Sequence, residues 1–117
     1  METLRSISDF DKVKFVILYG SEAKGEAWEN SDIDFCVYYS ADDKEKMSRF
    51  RLKLLTELSD DKYDVQIFQL LPLYVRVEVL KGEVLYAEDM DFLYEVALNT
   101  IRDFELFKPL LHDYLYR

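Results

Sequence analysis

The residues of this 117-residue chain best suited to chemistry are three acids in apolar surroundings. Asp32 and Asp34 lie in Ser31-Asp32-Ile33-Asp34-Phe35-Cys36-Val37, and Asp64 lies in Tyr63-Asp64-Val65-Gln66-Ile67. Side chains alternate along a strand, so Asp32 and Asp34 project from one face while Ile33, Phe35 and Val37 project from the other. Two carboxylates in one small volume repel each other unless a cation sits between them, and hard oxygen donors suit Mg²⁺ better than a softer metal. Asp is also disfavoured in strands, so acids placed in otherwise apolar strands call for a reason. Asp64 repeats the pattern on a second strand. The plainer alternatives are solvated acids on an edge strand for Asp32 and Asp34, and an ion pair with Lys62 for Asp64.

A second feature precedes the acids. The run Val13-Lys14-Phe15-Val16-Ile17-Leu18-Tyr19 ends at Gly20-Ser21. Glycine permits close backbone approach or a positive φ, and Ser21 places a hydroxyl beside the free N–H groups of a helix start, a combination that can receive phosphate oxygens. The same dipeptide also serves as an ordinary turn with a helix cap. Lys24 could touch phosphate or stand in solvent. Cys36 reads as a core thiol, His112 as a structural or exposed side chain, and Trp28 as either a cover for the site or loop packing.

These groups need a frame, and the local patterns supply one. Val13 to Tyr19 is nearly continuous and β-branched, as in a strand covered on both faces. A short helix from Glu22 to Ala27 and a turn at Asn30-Ser31 lead into a second strand, Asp32 to Tyr39. Ser40 with Asp43 fits a capping box for an amphipathic helix whose stripe is Met47, Phe50, Leu54 and Leu58, ending near Ser59-Asp60-Asp61. A third strand, Lys62 to Leu70, puts Tyr63, Val65 and Ile67 on one face and Asp64, Gln66 and Phe68 on the other. From Leu71 the signals conflict. Val75, Val77 and Val79 alternate with Arg76 and Glu78 as in a hairpin, whereas Pro72 and Gly82 bracket a helix. Leu93, Val96, Ala97, Ile101, Phe104 and Phe107 form a helical stripe within Asp91 to Lys108, with Pro109 as its expected interruption. Leu4, Ile7 and Phe10 have the spacing of a brief leading helix. The layout is α/β, also describable as α+β: one small mixed sheet covered by helices, in a single domain spanning 1–117.

Composition narrows the function. A formal net charge of −9 argues against a chain whose main task is holding nucleic acid, because Lys and Arg supply most of that affinity. No run reaches the roughly 18 apolar residues of a membrane span. The N-terminus carries an early acid and lacks an apolar core, unlike a secretory signal. One cysteine cannot form an internal disulfide, and a cytoplasmic setting is the expectation.

Taken together, Gly20-Ser21-Glu22-Ala23-Lys24-Gly25, Ser31-Asp32-Ile33-Asp34 and the later Asp64 resemble the signature of the DNA polymerase β-like nucleotidyltransferase superfamily. In size and C-terminal helix the chain is similar to the minimal nucleotidyltransferases of prokaryotes, which often pair with a HEPN-domain protein in toxin–antitoxin modules. The resemblance implies a polymerase β palm-like fold, with a helix followed by a strand after Leu71. It implies that Asp32 and Asp34 ligate two Mg²⁺ ions, that Asp64 completes the metal site on the acceptor side, and that Gly20 and Ser21 hold the β and γ phosphates of ATP, with Lys24 at the basic position beside them. Lys24 stands where the family usually has Arg, which keeps the charge and loses the bidentate fork. The implied reaction is transfer of AMP to a hydroxyl, a tyrosine of a HEPN toxin, within a hetero-oligomer. Nucleotide transfer to a small molecule such as an antibiotic, and neutralisation by binding alone, are the rival readings.

Overall fold

Seven consecutive residues with mostly branched or aromatic side chains make β1, Val13–Tyr19, the strand on which the sheet is built. The computed structural model describes residues 10–20, 33–58 and 63–115. After a 3-10 turn at Phe10–Lys12 and β1 come β2 (Ile33–Tyr39), α1 (Lys44–Leu58), β3 (Tyr63–Ile67), a 3-10 turn at Phe68–Leu70, α2 (Leu73–Val79), β4 (Glu83–Ala87) and α3 (Met90–Leu115). The expected helical spacing at Leu4 and Ile7, the helix from Glu22 to Ala27, the Asn30-Ser31 turn and the helix end at Ser59-Asp60-Asp61 lie outside the described residues.

The four strands form one mixed sheet in the order β3-β2-β1-β4. β1 pairs antiparallel with both β2 and β4, while β2 and β3 pair in parallel through α1, the crossover that a parallel pair requires. A register shift between Val13 and Phe15 turns Val13 and Val16 toward α1 while Phe15 and Ile17 face the other side. One core layer joins Val16, Val37, Val65 and Ile67 to Met47, Phe50 and Leu54 of α1. The second joins Phe15, Ile17, Cys36 and Phe68 to Val79 of α2 and Leu93 of α3. Helices thus cover both faces of the sheet.

Three local details differ from the sequence reading. Asp43, not Ser40, caps α1: its Oδ1 accepts from the backbone N–H of Lys46 at 2.8 Å. The Ser40 N–H is committed to the Lys12 carbonyl at 2.8 Å, which prolongs the sheet ladder and delays the helix. β3 ends at Ile67 instead of Leu70, because the chain curls into a 3-10 turn there. The side-chain amide of Gln69 then takes over the ladder, exchanging hydrogen bonds with the backbone N–H and carbonyl of Tyr39. Finally, α3 runs through Pro109 to Leu115. Pro109 sits on the exposed side of the helix, where its ring meets no packed neighbour among the described residues.

The conflict after Leu71 resolves as helix then strand. Pro72 has no N–H to give a ladder, and its carbonyl instead starts α2 by accepting from Val75 and Arg76, both at 3.0 Å. Gly82 then lets β4 approach β1: a Cβ there would lie 2.3 Å from the Leu18 carbonyl oxygen. Asp89 caps α3, its Oδ1 accepting from the Asp91 N–H at 2.9 Å.

Candidate functional site

Strand register decides which of the acids meet. Asp34 of β2 stands opposite Asp64 of β3 in the parallel pair, and opposite Tyr19 of β1 in the antiparallel one. Register partners project from the same face, so Tyr19, Asp34 and Asp64 form a row across three strands at one end of the sheet. Cys36, two residues along from Asp34, belongs to the core layer under α2 and α3, which fixes the face of the row as that one.

Both carboxylates are only partly buried. Neighbouring strands lie about 4.8 Å apart, and two ionised carboxylates at that order of separation repel by about 3 kcal/mol at an effective dielectric of about 20. Two carboxylates so placed favour a cation between them. Asp64 is held by two donors: Gln66 Nε2 reaches its Oδ2 at 3.0 Å, and Arg51 Nη2 reaches its Oδ1 at 3.5 Å. Arg51 also donates from Nε to the Val65 carbonyl at 2.6 Å.

Gly20 closes the row from the side of β1. Its φ of 84° lies in the left-handed region that favours glycine. A Cβ at this position would stand 2.7 Å from Asp34 Oδ2, so the carboxylate occupies the space a side chain would take. The Tyr19 phenol is pushed well above its ordinary pKa by burial first, and then by the negative groups around it, including Asp34 and Asp64. It stays protonated beside the acids. Burial likewise pushes the Cys36 thiol up.

Of the residues picked out in the sequence, the structure brings together Gly20, Asp34 and Asp64; Ser21, Lys24 and Asp32 lie outside the described residues. Among the described residues no cluster of three acid, histidine or cysteine ligands forms. What they supply is two adjacent carboxylates, hard donors that fit Mg²⁺ and would leave positions for phosphate oxygens and water. Sequence reasoning did not single out Tyr19, Arg51 or Gln66. For Gln66 a signal existed, since alternation puts it on the face of Asp64; for Arg51 the signal is a cation at the edge of the apolar stripe of α1, one turn beyond Met47. A cleft of about 330 Å³ lined by Lys12, Tyr39, Lys46, Arg49, Phe50 and Lys53 opens at the far end of β2, away from the acids. Lys46 and Arg49 pair there with Asp42 and Glu45 one turn away, as on a solvated helix flank.

Comparison with known proteins bears on this geometry. The family described as Polymerase beta, Nucleotidyltransferase matches residues 2–91. A Methanocaldococcus jannaschii protein that carries the name protein adenylyltransferase is 37% identical over 81 residues, 68% of this chain, and the chain spans 61% of that relative's length. Among solved structures, a toxin–antitoxin complex with AMP-PNP contains a chain that superposes with a TM-score of 0.71 at 22% identity, covering 97% of this chain and 94% of that one. A complex of a tri-AMPylated Shewanella oneidensis HEPN toxin with MNT antitoxin gives a TM-score of 0.65 at 18% identity, covering 97% of this chain and 91% of that one. At these identities the structural likeness establishes the fold.

Proposed function

Because the chain belongs to the polymerase beta nucleotidyltransferase family, we propose that it is a Mg²⁺-dependent adenylyltransferase that moves AMP from ATP to a tyrosine hydroxyl of a HEPN-domain toxin and so acts as its antitoxin. The observation that carries the reading is the pairing of Asp34 with Asp64 in register, beside a glycine whose missing side chain leaves room for the Asp34 carboxylate. A chain that worked by binding alone would have no physical need to hold two like charges side by side. The name of the Methanocaldococcus jannaschii relative supports the chemistry, and the toxin–antitoxin complexes that share the fold support the kind of acceptor.

Each residue then has a task. Asp34 and Asp64, with Asp32, would hold two Mg²⁺ ions, which when bound neutralise the phosphates and the charge that develops on the departing pyrophosphate. Gly20 and Ser21 receive the β and γ phosphates, and Lys24 adds a positive charge on that side. Asp64 lies toward the edge of the sheet, where the acceptor hydroxyl would enter, and takes up its proton as the oxygen attacks the α-phosphorus. The new P–O bond forms as the bond to pyrophosphate breaks. Tyr19, kept protonated, offers a donor beside the acids and no competing anion. The interior of a cell, with its ATP and reduced thiols, is the setting this reaction calls for.

The test is to incubate the chain with ATP, Mg²⁺ and a HEPN-domain protein from the same organism, and to measure the intact mass of that protein. The expected result is an increment of one or more AMP groups that maps to tyrosine. Tight stoichiometric binding without an increment would replace the reading with neutralisation by binding, and transfer to a small acceptor alone would replace it with an antibiotic-type activity.

A further inference from the structure

Arg51 departs from the pattern of its helix. Lys46 and Arg49 pair with acids one turn back on the exposed surface. Arg51 has Met47 and Leu55 at those spacings and pairs instead with an acid on another element, 13 residues on. The geometry of that reach is unusual. α1 packs on the face of the sheet that carries Val65 and Ile67, whereas Asp64 points to the opposite face. β3 is the edge strand, so the side chain of Arg51 gets from one face to the other only by passing round that edge, where its Nε bonds the Val65 carbonyl on the way. Gln66 holds the second oxygen of Asp64 from within the strand.

We propose that Arg51 and Gln66 are positioning residues that hold both oxygens of the Asp64 carboxylate and so keep it beside Asp34 against the repulsion between the two acids. This inference rests on the assignment of Asp34 and Asp64 to the metal site. Arginine suits the task because its planar fork serves two acceptors at once, Val65 from Nε and Asp64 from Nη2; the single ammonium of a lysine would have to choose. The arrangement also spares the edge strand, since the Val65 carbonyl that Arg51 covers is no longer open to another chain.

Groups that orient metal-bound carboxylates typically matter 10–100-fold for metal affinity or activity. The experiment is a titration of Mn²⁺, standing in for Mg²⁺, followed by the loss of its free electron-spin signal, on the full chain with a non-hydrolysable ATP analogue, after subtraction of the Mn²⁺ that the same analogue binds without protein. Thermal melting is recorded alongside. Gln66→Leu, which leaves the Val65 contact intact, and Arg51→Met should each raise the Mn²⁺ half-saturation by about 10-fold or more, with Arg51→Lys recovering only part of the loss. Combining either change with Asp64→Asn should add nothing, because both act through that carboxylate. If Arg51→Met and Gln66→Leu bind Mn²⁺ as the wild type does, or if their effects persist in full in the Asp64→Asn background, the inference is overturned while the site assignment stands. If the wild type itself shows no saturable Mn²⁺ binding, the assignment falls and takes the inference with it.

Discussion

The collision that a side chain at Gly20 would make with Asp34 links a backbone angle to a proposed metal ligand. At a φ of 84° a non-glycine residue costs about 1–2 kcal/mol, and its Cβ would come within 2.7 Å of Oδ2 unless the carboxylate moved. Gly20→Ala is therefore expected to lower the transfer rate about 100-fold, the order that a misplacement of about 1 Å can cost, and to melt several degrees earlier; wild-type rates in the alanine variant would refute the link. Cys36 gives a second residue-level test. Burial holds its thiol in the protonated form through neutral pH, and thiolate is the reactive species, so native protein should resist alkylation at pH 7 to 8 until it unfolds. Rapid labelling under native conditions would contradict that account. Such close-range couplings were half readable in the sequence. The apolar setting of Asp34 and Asp64 marked them as odd, but their meeting depends on the register of β2 and β3, and register is a property of two strands together.

α1 links the two halves of the parallel pair, and its cap and its apolar face do different work. Replacing Asp43 by Ala removes the hydrogen bond to the Lys46 N–H and should cost about 1 kcal/mol in urea unfolding, with transfer unaffected. Leu54→Ala, at a fully buried position between sheet and helix, should cost about 2–5 kcal/mol. Equal costs for the two would mean that the core is looser than the contacts imply. Elements with one dominant signal were readable in advance: the stripe Met47, Phe50 and Leu54 is the buried face of α1, and β1 has the predicted ends. Where signals competed, tertiary contacts decided. The alternating valines of α2 mimic a strand, yet Pro72 cannot join a ladder and Gly82 is needed for the Leu18 carbonyl, so the helix won. Ser40 and Asp43 are both good caps by sequence, and the ladder bond from Ser40 to Lys12, with the Asp43 bond to Lys46, decides between them. Sequence spacing sets Arg51 beside the apolar stripe of α1, but its reach round β3 depends on which strand is at the edge, which spacing alone does not give.

Charge is what the molecule as a whole presents to its surroundings. With a net charge of −9, the chain should show no retardation of RNA or DNA in a gel shift at about 0.15 M salt, and its complex with a basic partner should form more slowly as salt is raised. Tight nucleic-acid binding by the chain alone would point to a different task. Among the described residues no helix is long and apolar enough to cross a membrane. The C-terminal stripe divides between core and surface: Leu93 is buried, while Ile101 and Phe107 are exposed. The central claim is narrower than any of these properties. It is that Asp34 and Asp64, aligned across β2 and β3, are the groups on which nucleotide transfer depends. The most direct measurement is the single-turnover rate of AMP transfer from ATP to the proposed HEPN partner for the wild type, Asp34→Asn and Asp64→Asn, with folding of each checked by thermal melting. The account predicts transfer by the wild type and a loss of about 1,000-fold or more, equivalent to about 4 kcal/mol of barrier, in each folded variant. Transfer at the wild-type rate by either variant would contradict it.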